Sequence, residues 1–143
     1  MASFLYQKGV TESLKSEDLI AGTIKVLLVT SGYTPNKDHD FVSDLVPGTN
    51  ELSGFGYERK TLTNKTLTED DANDRAVFDD GDDVTWTAID AGTAAAAVLF
   101  IQKTNDADSI LLAYIDSGGF PFTTNGGDLV IEWNAAGIFY ISC

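Results

Sequence analysis

Residues 94–116 read AAAAVLFIQKTNDADSILLAYID. Two apolar runs, 94–101 and 109–115, flank the polar insert TNDAD. Both runs carry apolar residues at odd and even positions, so as strands they would be buried on both faces and lie centrally in a sheet. The insert has the Asn and Asp residues of a turn. The small side chains of Ala94–Ala97 suit close approach of a second sheet, although an alanine run is also a helix former.

Working outward, TIKVLLVT (23–30) reads as a strand rich in β-branched residues, with Ile24, Val26 and Leu28 on one face. GDLVIEW (127–133) alternates, with Leu129, Ile131 and Trp133 inward and Asp128 and Glu132 outward. NAAG then turns it into IFYIS. RAVFD and DVTWTAI flank Asp79-Asp80-Gly81-Asp82-Asp83, which reads as a solvated hairpin tip, with Val84, Trp86 and Ala88 on one face. GYERKTLTNKT (56–66) is extended and polar; its Tyr57, Arg59, Thr61 and Thr63 fall on one side, as in a solvent-facing or edge strand. SGYTPNKD is a turn cluster, and HDFVSDLV is one or two helical turns ended by Pro47-Gly48. Residues 2–15 have the pattern of a short helix with Phe4, Leu5 and Val10 as its contacts, weakened by Gly9.

The expected architecture is an all-β, mainly antiparallel, β-sandwich or barrel-like single domain with a short N-terminal helix or arm. Residues 1–20 form the arm or helix and residues 21–143 the β domain. The arm either docks on a partner or covers an open sheet edge.

The totals narrow the function classes. A chain of 143 residues suits one domain and buries roughly 70% of its unfolded surface without a metal or disulfide staple. Twenty-two acids against nine bases give a charge of −13, which repels nucleic acid phosphates and anionic lipid. No nucleic acid and no membrane are expected as partners. The lone cysteine, Cys143, permits no internal disulfide. MASFLYQKGV lacks the pattern of a signal peptide, and no apolar run is long enough to span a bilayer, so a soluble protein kept inside the producing cell is expected.

Several motifs invite a chemical reading. Asp116-Ser117-Gly118-Gly119 looks like the nucleophile turn of a trypsin-type protease, and such a serine needs a histidine base. The chain has one histidine, His39. The plainer reading is a turn ending a strand, with Ser-Gly-Gly supplying positive φ. Residues 69–83 hold eight carboxylates opposed only by Arg75, a calcium-site candidate, yet the calcium-loop spacing is absent. Gly54 and Gly56 in GFGYER lack the third glycine of a dinucleotide fingerprint. NKT (64–66) is a glycosylation acceptor only in a secreted chain. Tyr33, Tyr57, Trp86, Tyr114 and Trp133 could form a sugar-stacking platform, except that Trp86 and Trp133 fall on core faces. No catalytic, cofactor-binding or metal residue is assigned, and no cofactor is expected.

Taken together, TIKVLLVTSGYTPNKDHDF, GFGYERKTLTNKT, DRAVFDDGDDVTW and LLAYIDSGGFPFTTNGGDLVIEWNAAGIF resemble a family of small tailed-bacteriophage structural proteins. The resemblance runs from Phe4 to the end of the chain. It implies a non-enzymatic virion protein, foremost a capsid decoration (cement) protein on the outer surface of the major capsid protein lattice. It also implies residence on the virion after synthesis in the host cytoplasm. The expected partners are the major capsid protein or other virion proteins, and repeated copies of this chain as homo-oligomers such as trimers. A tail, neck or fibre-attachment protein is the nearest alternative, and a carbohydrate-binding β-sandwich a more distant one. In the family, IDSGG is a turn before a closing hairpin.

Overall fold

A computed structural model describes residues 3–15, 19–45 and 50–142. Pro47-Gly48 and Cys143 lie outside the described residues. The described residues form twelve strands and one α-helix. The principal sheet has five antiparallel strands in the order β1 (Phe4–Leu5), β9 (Ile110–Ile115), β8 (Ala96–Ile101), β2 (Ile24–Val29) and β3 (Lys60–Thr61). As expected from their composition, β8 and β9 are buried on both faces; β2, read from its pattern as having one apolar face, is buried on both as well. The alanine run joins β7 (Thr93–Ala94) to β8 and forms no helix.

The β2 and β8 side chains divide by parity between two cores. Ile24, Val26, Leu28, Ala97, Leu99 and Ile101 enter one cluster. Leu27, Val29, Ala96, Val98 and Phe100 enter the other. Strand β9 breaks this rule. Leu99 pairs with Ala113 and Phe100 with Leu111, so Leu112 is an extra residue. The bulge sends both Leu112 and Ala113 to the first cluster and returns Leu111 and Tyr114 to the second.

The second cluster is covered by Tyr6, by α1 (Gln7–Lys15) and by residues 33–45, which include a 3-10 turn at Val42–Asp44. Asp44 closes that turn by accepting hydrogen bonds from the Asp40 and Phe41 amides, both at 2.9 Å. Those bonds hold its carboxyl below the usual carboxylate range. The N-terminus departs from the expected single helix. Phe4 and Leu5 pair with Tyr114 and Ala113, and α1 begins only after Tyr6, whose side chain is fully buried. The segment thus covers part of the β9 edge.

The first cluster is covered by a layer of smaller antiparallel sheets: β12 (Phe139–Ser142), β5 (Arg75–Asp80) and β4 (Lys65–Asp70); β11 (Leu129–Ile131) with β6 (Val84–Trp86); and β10 (Phe122–Thr123) with β7. Phe78, Val84, Trp86 and Leu129 from this layer meet the principal sheet. The result is a mostly antiparallel, sandwich-like β domain with a short N-terminal helix.

Three pairings differ from the sequence expectation. Residues 79–83 are not a hairpin tip: β5 pairs with β4 and β12, whereas β6 pairs with β11. The tract is a crossing between two small sheets, and the true hairpin is β4–β5 around residues 71–74. Nor do β11 and β12 form a closing hairpin, since each pairs with a strand from the middle of the chain. Finally, Ala88 lies beyond β6 at a φ of 51°, so only Val84 and Trp86 share the buried face.

Candidate binding cleft

The described residues do not close the first core on every side. Between the β1 edge of the principal sheet and the β11–β12 region of the opposite layer runs a cleft of about 880 Å³. Phe4, Leu5, Ala113 and Ile115 line one wall; Ile131, Trp133, Ile138 and Phe139 line the other. The loop after β9 adds Phe120 and Phe122. Most of these side chains pack against the first core cluster yet remain partly buried. Val130 and Tyr140, also in the lining, are 45% and 50% exposed.

Local geometry explains the walls. Trp133 is oriented by its indole N–H, which donates to the Asp82 carbonyl at 3.1 Å. Gly137 has a φ of 108°, and a Cβ there would collide with Val77 Cγ1. This tight turn brings the Ile138 amide to the Phe78 carbonyl at 2.8 Å and starts β12 beside β5. Glu132 is the only charged side chain among the described lining residues.

The candidates from the sequence are distributed as follows. Ser117 borders the cleft mouth, where its hydroxyl accepts a 3.4 Å hydrogen bond from Ser3, which also donates to Asp116. His39 sits in another hydrogen-bond group: its Nδ1 pairs with the Tyr33 hydroxyl at 2.9 Å, and Tyr33 pairs with Tyr6 at 2.9 Å. Gly118 and Gly119 have φ values of 75° and 121° with open space where a Cβ would stand, which is the behaviour of a turn. Burial raises the Tyr6 and Tyr33 hydroxyl pKa values, most strongly for Tyr6.

The acidic tract does not converge. Among the described residues no three His, Cys, Asp or Glu side chains are grouped to hold a metal ion. Asp82 accepts from Thr63 and Asn64. Asp70 pairs with Arg75 at 2.8 Å. Asp80 is only 5% exposed, and its Oδ2 has no hydrogen-bond partner among the described residues. Burial, with Asp82 nearby, pushes its carboxyl above the usual range.

The aromatic residues of the alternative sugar-stacking reading are likewise dispersed. Tyr33, Trp86 and Tyr114 are buried, and the Trp86 indole donates to the Glu58 carbonyl. The segment supplies the edge strand β3 of the principal sheet, one of its two expected readings, but Tyr57 and Arg59 are half-buried rather than solvent-facing. The Tyr57 hydroxyl donates to Glu51 at 2.6 Å and is raised by burial. Arg59 forks to Glu51 and Asp106, each at 2.7 Å, over the Phe100 ring. These two carboxylates outweigh the cost of desolvation and hold the guanidinium firmly charged. Thr61 and Thr63 are exposed as expected.

Sequence reasoning missed the cleft. Phe120 and Phe122 stand in or beside turns and lack a strand-length period, and Ile138 and Phe139, read as the start of a strand, give no sign of an open side. The only signal is the clustering of large apolar residues where a turn would be polar. No protein-family model matches the chain, and neither a curated protein nor a solved structure does. No described helix is long and apolar enough to cross a membrane.

Proposed function

We propose that the protein works by adhesion, as a bacteriophage virion protein that decorates the outer surface of the major capsid protein lattice. The observation that carries this reading is the apolar cleft, in which core side chains remain open to a partner. The sequence resemblance supplies the phage context, and the −13 charge suits a surface directed away from packaged DNA. Copies bind the capsid protein and associate as homo-oligomers such as trimers, matching the symmetry axes of a shell. Gel densitometry of purified particles tests the assignment. A decoration protein is present in hundreds of copies per particle. A ring-sized number would transfer the protein to the tail, neck or fibre attachment, and complete absence would overturn the virion reading.

A further inference from the structure

We propose that the cleft receives one extended segment of a different protein. That segment alternates apolar side chains, carries lysine or arginine beside them, and completes the open edge of the sandwich as an added strand. The inference rests on the adhesive reading above and specifies the chemistry of the partner.

Among the described residues, none covers the cleft. Ile115, Ile131, Trp133 and Phe139 continue the first core outward, yet stop partly buried. An extended chain points successive side chains to opposite sides, so every second residue can enter such a slot.

Strand edges supply the backbone half of the match. Among the described residues, β1 lies at the end of the principal sheet and pairs only with β9, and β11 pairs only with β6. Both border the cleft. A strand laid along either edge pairs its amides and carbonyls, while alternate side chains read the pocket.

Charge decides between occupants. A second copy would bring another −13 to the interface and meet like charge. An anionic amphiphile such as a fatty acid would meet Glu132, with no lysine or arginine among the described lining residues. A segment bearing lysine or arginine meets both the rim acid and the overall field favourably.

The test is selection of a display library of short random peptides on the full-length protein. It is followed by titration of the enriched peptides and by amide hydrogen exchange. Enriched peptides should alternate apolar residues and contain Lys or Arg. Their affinity should fall with salt and drop about tenfold or more in Glu132→Lys, an exposed position. Leu67→Glu on β4, also exposed and outside the cleft, should leave binding unchanged. Bound peptide should slow exchange at residues 3–5 or 129–133. The proposal is overturned if no peptide is enriched or if the winners are acidic. It is also overturned if Glu132→Lys binds them as well as the parent, or if laurate or a second copy occupies the cleft instead. None of these readouts needs a particle, so absence of the protein from virions would sink the decoration reading and leave this result standing.

Discussion

Gly9 lies in α1 against the backbone of β9. A Cβ there would stand 2.9 Å from Leu112 Cα and closer still to the Leu111 carbonyl oxygen. In an exposed helix, Gly→Ala gains about 1 kcal/mol. Here overpacking against backbone should outweigh that gain, and we expect Gly9→Ala to lower stability by about 1–3 kcal/mol. A denaturant midpoint at or above that of the parent would refute the close approach. Asp80 poses the opposite case. Its folded pKa is raised by burial, so the native state holds this proton more tightly than the unfolded chain. The group favours folding in acid, and that contribution is lost as pH rises through its folded pKa. Asp80→Asn should therefore raise the melting temperature at neutral pH, with an advantage that shrinks as the parent carboxyl protonates. Thermal scans at neutral and acidic pH check the sign.

Between elements, two polar groups tie irregular segments to the sheets. Arg59 joins the Glu51 segment to the Asp106 turn through fork geometry that lysine cannot reproduce. Arg59→Lys is expected to cost about 2 kcal/mol, measured by denaturation. Arg59 also depresses the Asp106 pKa, so this part of the stability is present above the ordinary carboxylate range and is lost as pH falls through the folded value. The pH dependence of the Arg59→Lys penalty should follow that course, softened by the partial exposure of Asp106. At the same second core, Tyr33 links Tyr6 to His39. Tyr33→Phe leaves the buried Tyr6 hydroxyl without this partner and should cost about 1–3 kcal/mol; a loss below a few tenths would show that another group satisfies Tyr6.

The same scale shows what was legible in the chain. The double-sided apolar runs of β8 and β9, the strand at β2 and the turn at TNDAD could be read directly, because strand burial and turn chemistry are local properties. Asn105 and Asp108 do close that turn on its own backbone. The partners of β5, β6, β11 and β12 could not be read that way. Short alternating strands fit any neighbour of similar pattern, and adjacency along the chain misassigned residues 79–83. Leu112 was equally hidden: a one-residue bulge leaves no trace in an all-apolar run.

For the molecule as a whole, the −13 charge sets the conditions of association. Copies repel one another over roughly 10 Å at 0.1 M salt. Homo-oligomers such as trimers should therefore tighten as ionic strength rises, whereas a complex with a basic partner segment should loosen. Sedimentation velocity across a salt series separates the two; dissociation of the homo-oligomer by salt would contradict the repulsion argument.

Composition and pattern alone determined that this chain folds as an antiparallel β domain, with two central strands buried on both faces and a strongly acidic exterior. Those properties are sums over residues and their immediate neighbours. Only the tertiary structure decided that Asp80 is buried, that Arg59 is held by two distant acids, and that one edge of the core stays open. Each depends on which distant segments come to lie side by side, and many pairings of short strands satisfy the same local rules.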